Sequence, residues 1–232
     1  MTITNACRGE AQRFRAVIVD LDNTLYDFGA AKEAACQKVV TLIGKGSADD
    51  LIRAFLFSPY GVESPKAIQS FLEELNIYNP ELFNTAVQTY IQAKMEAIKA
   101  YPGVYETLLQ IHKAGLKVGA VTNASNEHAK ERLIHIQVAE FLDCLVTPDN
   151  SGLKKPDSAM FLHAASLLRV QPHQICAIGD NLVNDIRPAQ EAGMCTVHAE
   201  YGNRLPLKYS EGITADFSIS SFSDILSIIG LR

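Results

Sequence analysis

No apolar run among the 232 residues approaches the ~20 needed to cross a bilayer, which excludes a transmembrane helix. The opening stretch from Met1 to Glu10 has no apolar core of the signal-peptide kind, and a cytoplasmic location is expected. Basic clusters are missing and the net charge is −5, which argues against nucleic acid or an anionic membrane as the main partner. Cysteine is sparse, and its five positions, Cys7, Cys36, Cys144, Cys176 and Cys195, include no C-x-x-C spacing. Neither a zinc site nor dithiol redox chemistry is therefore indicated. Cys144, Cys176 and Cys195 sit in or beside apolar strand-like runs, where a buried thiol is expected. Internal repeats and low-complexity tracts are also absent.

What is present is a hydrophobic fraction of 47%, enough for a sizeable core, in a length that suits one large domain or a core with a smaller insertion. The first dozen residues are polar and expected to be loose. Ala16-Val17-Ile18-Val19 reads as a strand buried on both faces, and it runs into two carboxylates, Asp20 and Asp22. Alternate residues of an extended chain point the same way, so both acids can project from the strand's carboxyl end. Thr24 adds a hydroxyl close by.

From Phe28 to Ala100 the signals are helical. Ala31, Ala35, Val39 and Leu42 recur at helical spacing, and Ser47 with Asp50 marks the start of a second helix carrying Leu51, Ile52, Phe55 and Leu56. Ser64-Pro65 and Asn79-Pro80 each place a capping residue before proline, ahead of the apolar sets Ile68, Phe71, Leu72 and Leu82, Tyr90, Ile91. Four amphipathic helices of this kind are expected to pack as a bundle with its own core. The Tyr60-Gly61 loop falls between the second and third of them.

Beyond Tyr101, helix and strand signals alternate. A helix from Val104 stops at Gly115; strands are predicted at Leu116–Val121, Cys144–Val146, Ile175–Ile178 and Cys195–Val197, with an edge strand at Asp216–Ile219. A helix after Asp180 is expected to run to Ala192, and Ser221 with Asp224 opens a terminal one. This alternation implies an α/β fold, a Rossmann-like parallel sheet wrapped by helices, with an inserted all-helical second domain. The domains expected are a core of residues 1–27 and 101–232 and a helical insertion of residues 28–100, joined near Asp27–Gly29 and Tyr101–Gly103.

Polar clusters follow four of the strands: Asp20, Asp22 and Thr24; Thr122 and Asn123; Lys154 and Lys155; Asp180, Asn184 and Asp185. Each alone has an ordinary explanation as a cap, a turn or a solvated face. In a parallel sheet all four converge on one edge, and together they describe an active site. Several carboxylates around one point repel unless a hard cation neutralises them, and oxygen donors without Cys or His select Mg2+. A hydroxyl, backbone amides and a lysine at the same place form a cradle suited to a phosphoryl group.

Asp20-Leu21-Asp22-Asn23-Thr24, Val121-Thr122-Asn123, Lys155-Pro156 and Gly179-Asp180-x4-Asp185-Ile186 resemble, in order, the four motifs of the haloacid dehalogenase (HAD) superfamily. The resemblance implies Asp20 as the nucleophile that becomes an aspartyl-phosphate. It also implies Asp22 as general acid and base, with its main-chain carbonyl on the metal. Thr122 and the Asn123 amide would hold the phosphoryl group, and Lys155 rather than Lys154 would steady nucleophile and phosphate. Asp180 and Asp185 would complete the magnesium site. The long helical stretch after the first motif, residues 28–100, resembles the cap of the superfamily's C1 branch, which implies an inserted all-helical cap domain there.

A phosphatase acting on a small phosphorylated metabolite (nucleotide, sugar phosphate or phosphoglycolate), as monomer or homodimer, is the activity so implied. A phosphomutase or other phosphotransferase is the alternative; a haloacid dehalogenase or a non-catalytic phospho-ligand-binding protein is a weaker one. Asp22, Asp180 and Asp185 together favour phosphorus over carbon chemistry, because the superfamily's dehalogenases lack the second acid of the first motif and need no metal.

Overall fold

A computed structural model of the chain describes residues 14–61, 63–204 and 212–231. The opening dozen residues, Cys7 among them, lie outside the described residues. The chain divides into two compact units: Phe28–Ile98, and the residues up to Asp27 together with those from Lys99 onward.

The second of these begins with strand β1, Ala16–Val19, and then gives way to four helices, α1 (Phe28–Ile43), α2 (Ala48–Leu56), α3 (Lys66–Glu74) and α4 (Pro80–Ala97), which make up Phe28–Ile98. After them come α5 (Val104–Lys113), β2 (Lys117–Val121), α6 (Asn126–His135), β3 (Cys144–Val146), α7 (Pro148–Ser151) and α8 (Ala159–Leu168). The chain continues with β4 (Ile175–Gly179), α9 (Arg187–Glu191), β5 (Cys195–Ala199), β6 (Phe217–Ile219) and α10 (Ile225–Ile228). The six strands form one sheet in the order β3-β2-β1-β4-β5-β6, and every pairing is parallel.

Strand β1 is central for a physical reason. Its four residues are wholly apolar and almost completely buried, so both faces need cover and both edges need a neighbour. Ile18 packs in one cluster with Ala177 of β4 and with Met160, Phe161 and Leu168 of α8. The alternate residues, Val17 and Val19, face the opposite side of the sheet. The ladder runs on past the strand, since Asp20 N–H donates to the Ile178 carbonyl at 2.9 Å. Asp20 is thus fixed by its backbone before its side chain meets anything.

Helix signals in Phe28–Ile98 give the four helices, with two shifts of detail. Ser47 caps α2 by accepting from Asp50 N–H, and Asn79 caps α4 by accepting from Leu82 N–H. At α3, Pro65 is itself the cap residue and Ser64 lies one position outside it. Phe55 and Tyr90 stack at 4.6 Å in a core that also holds Leu51, Ile68, Phe71 and Leu72. Leu42, Leu56 and Ile91, read from their spacing as inward, are exposed. An apolar stripe wider than its neighbour can cover leaves its margins in water. Lys94, conversely, is buried on α4, where it pairs with Glu63 at 2.7 Å and lies over the Phe28 and Tyr90 rings.

Three further details differ from the sequence expectation. Gly29 is not a joint, because α1 already begins at Phe28. The helix after β4 opens as a π-turn over Leu182–Ile186 before becoming α9. Cys176 and Cys195 are buried, but Cys144 is only half-buried because β3 is an edge strand. The Ser221–Asp224 capping box forms as expected, on a short 3-10 turn that leads into α10. Among the described residues no helix is long and apolar enough to cross a membrane.

Replacing Ile18 by Ala removes buried volume beneath the functional edge and should lower unfolding free energy by ~2–5 kcal/mol. Leu42→Ala, on an exposed margin, should shift it by no more than about 0.5 kcal/mol. Urea titration of both variants checks the contrast; equal losses would mean that the packing described for β1 is wrong.

Candidate active site

The parallel arrangement sets four strand ends side by side, and the loops beyond β1 and β4, which are hydrogen-bonded neighbours, carry most of the acids. Asp20 follows β1, and Asp180 and Asp185 follow β4; one carboxylate oxygen from each of the three lies within 4.8 Å of the others. All three are buried. Lys155 enters the same space, with Nζ 2.5 Å from Asp20 Oδ1 and 2.6 Å from Asp185 Oδ1. Its neighbour Lys154 is exposed.

Two features hold this lysine. The Asn123 side chain accepts from Lys155 N–H at 2.8 Å and donates to the Lys155 carbonyl at 3.1 Å, tying the loop to the end of β2. Burial alone would lower the lysine's pKa, but the attraction of Asp185 and Asp20 wins and holds its ammonium above its ordinary range. Two of the acids are shifted upward as well, toward their neutral forms. Burial, only partly offset by Lys155, pushes Asp20 from its usual 3.8 to about 6. Burial and the like charges of Asp185 and Asp20 push Asp180 to about 9.

One lysine against three carboxylates leaves the cluster short of positive charge. Three buried hard oxygen donors within 4.8 Å of one another, with Asp20 and Asp180 raised in pKa by desolvation and like charge, fit a divalent cation of the magnesium type. Asp20, Asp180 and Asp185 would hold it. Glycine makes room for this: a β-carbon on Gly179 would fall 2.4–2.5 Å from the Asp185 side chain. Asp185 is braced further by Asn181 N–H, which donates to Oδ2 at 3.0 Å. Asn184 joins this turn through its backbone, its N–H donating to Asn181 Oδ1.

Thr24 links the first and fourth loops. Its Oγ1 accepts from Asp180 N–H at 3.1 Å, and its own proton has Asp20 Oδ2 at 3.3 Å and Asp180 Oδ1 at 3.5 Å. Thr122 is buried at the end of β2, where its hydroxyl accepts from Ala124 N–H. Asp22 does not join the carboxylate group. Its carboxylate accepts from the Tyr26 hydroxyl at 2.6 Å and from Arg132 Nη1 at 3.0 and 3.2 Å.

The sequence reading thus passed over Tyr26, Arg132, His198 and Tyr201. Burial, and then the charge of Asp22, keep the Tyr26 phenol protonated well above its usual range, so it remains a donor. His198 Nε2 lies 3.0 Å from the Asp180 carbonyl, and the Tyr201 hydroxyl donates to the Thr24 carbonyl at 2.8 Å. Only Arg132 left a trace in the sequence: it interrupts the inward stripe Ala129, Leu133, Ile136 of α6 at helical spacing.

The raised carboxylates have a consequence for stability. A group whose folded pKa exceeds its unfolded value stabilises the fold below the unfolded value and loses that contribution as pH rises through the folded one. For Asp20 and Asp180 the loss spans the range from about 4 to about 6 and to about 9 respectively. The melting temperature of metal-free protein should therefore fall between pH 5 and pH 9, and magnesium should raise it more at pH 9 than at pH 5. Calorimetry with and without the ion tests this, and a magnesium effect independent of pH would contradict it.

Comparison with known proteins places the chain in a family. The family model for haloacid dehalogenase-like hydrolases matches residues 14–193. The glyceraldehyde 3-phosphate phosphatase of Methanopyrus kandleri is 31% identical, over 93% of this chain and 97% of its own length. The phosphoglycolate phosphatase of Salmonella typhimurium is 30% identical, over 95% and 94% respectively. In fold, the chain is similar to a HAD-family hydrolase of Deinococcus radiodurans solved with bound phosphate and sodium, with a TM-score of 0.73 at 19% identity over 95% of this chain and 98% of that one. With a family match that spans most of the chain, from residue 14 to residue 193, the protein belongs to the haloacid dehalogenase-like hydrolases.

Proposed function

We propose that the protein is a magnesium-dependent phosphatase that hydrolyses a small phosphate monoester through a phosphorylated Asp20. The observation that carries this reading is Lys155 between Asp20 and Asp185, with Asp180 completing a buried group of three carboxylates. A single nucleophilic oxygen on phosphorus needs its negative surroundings offset, and a fixed lysine does so without reorganisation at the moment of reaction. Magnesium, when bound by Asp20, Asp180 and Asp185, would supply further charge stabilisation for the phosphoryl oxygens.

The remaining chemistry belongs to the chain. Asp20 attacks phosphorus, a new P–O bond forms and the bond to the leaving oxygen breaks. Asp22 gives that oxygen its proton. Asp22 then takes a proton from water as the water attacks the phosphorus on Asp20, which frees inorganic phosphate and restores both acids. Thr122 and the Asn123 N–H hold the phosphoryl oxygens in this scheme. The Asn123 side chain is otherwise engaged, fixing the loop that carries Lys155.

We assign Phe28–Ile98 as a cap of the C1 branch, the domain that selects the leaving group, on the strength of its helical make-up and its place in the chain after the first motif. Relatives that act on glyceraldehyde 3-phosphate and phosphoglycolate support a substrate of two or three carbons over a larger one. Sugar phosphates and nucleoside monophosphates belong in the same screen.

Hydrolysis of p-nitrophenyl phosphate should need magnesium and stop in EDTA. Asp20→Asn should abolish turnover in a protein that still melts cooperatively, because an amide cannot carry the phosphoryl group. Turnover that persists after thorough chelation, or an Asp20→Asn variant as fast as wild type, would refute the phosphatase reading. Asp180→Ala should depress every phosphate ester alike, whereas substitutions within Phe28–Ile98 should reorder them; a panel of small esters makes the comparison.

A further inference from the structure

We infer that Arg132, with Tyr26, is the positioning residue for Asp22, a role that rests on the phosphatase reading above. Arg132 is fully buried, whereas the Asp22 side chain retains 26% of its exposure. An arginine is stripped of water at large cost unless a carboxylate meets it. Here the carboxylate that meets it is one that solvent and substrate can still reach. Arg132 Nη1 contacts both carboxylate oxygens, at 3.0 and 3.2 Å, and the Tyr26 hydroxyl donates to Oδ1 at 2.6 Å.

The two donors come from different directions. Tyr26 folds back on the turn that follows β1, where Asn23 N–H donates to its carbonyl at 2.8 Å and its ring is completely buried. Arg132 arrives from the last turn of α6, the helix that follows Thr122 and Asn123. An aspartate side chain has only two rotatable bonds, so contacts from two sides define its rotamer. The reaction demands such definition. One carboxyl group must protonate the leaving oxygen and then, as the carboxylate, accept a proton from water, so it has to occupy one place in both half-reactions. In this role each acts through Asp22.

The measurement is kcat/KM for two esters, which reports the steps up to phosphoryl transfer. Glycerol phosphate has an alkoxide leaving group that needs the proton, and p-nitrophenyl phosphate has one that departs readily without it. Arg132→Ala should lower kcat/KM about 10²-fold for glycerol phosphate and no more than about 3-fold for p-nitrophenyl phosphate. Inhibition by inorganic phosphate should be unchanged. Arg132→Lys and added guanidinium ion should each restore part of the lost rate, and Asp22→Asn/Arg132→Ala should be no slower than Asp22→Asn alone. Tyr26→Phe, which keeps the buried shape, should show the same selectivity at smaller amplitude and carries the test if Arg132→Ala does not fold. Equal losses on both esters, or additive losses in the double variant, would overturn the assignment. A wild-type protein inert toward both esters would instead overturn the phosphatase reading itself.

Discussion

Charge balance around Lys155 is the constraint on which the rest of the active edge depends. Three buried carboxylates cannot share a space of a few ångströms without a counter-charge, and one ammonium supplies only part of it. The fold accordingly spends several devices on keeping that ammonium in place. Asn123 grips its backbone from the end of β2, Asn181 braces Asp185, and Thr24 bridges Asp20 and Asp180. Each brace comes from a different strand end, so the parallel sheet itself is the common frame.

That frame was legible in the sequence because its signals are local. A short, wholly apolar run before two acids has few other meanings, and alternation of helix and strand leaves little choice but a parallel sheet. The acids and the lysine were legible too, since they follow predicted strands and match the order of a known set of motifs. Tyr26, Arg132, His198 and Tyr201 were not. Their roles depend on which side chains the completed fold brings to Asp22, Asp180 and Thr24, and contacts such as that of Arg132 with Asp22 span 110 positions. Spacing along one helix marks a buried arginine as unusual but does not name its partner.

The helical unit shows the same division in another form. Its caps at Ser47 and Asn79 were readable because capping is a three-residue interaction. Leu42, Leu56 and Ile91 misled because periodicity reports the centre of an apolar stripe better than its margins. Lys94 drew no reading at all: a charged residue enters a helical core when a carboxylate and two aromatic rings receive it, and of Glu63, Phe28 and Tyr90 only Tyr90 is near it in sequence.

Gly202 carries a further implication. The loop after β5 passes so close to the turn of the first motif that a β-carbon at Gly202 would sit 1.7 Å from the Asn23 carbonyl oxygen, and 3.1 Å from the Asp180 side chain. No rotamer relieves a clash between one main chain and another. The segment that follows β5 is therefore keyed to the active edge by the absence of a single methyl group. In a saturation library this position would tolerate nothing but glycine, and it would score as catalytic although it has no side chain with which to react. A loop transplanted here from another protein of the same fold would have to bring its own glycine in register, or it would displace the turn between Asp22 and Thr24.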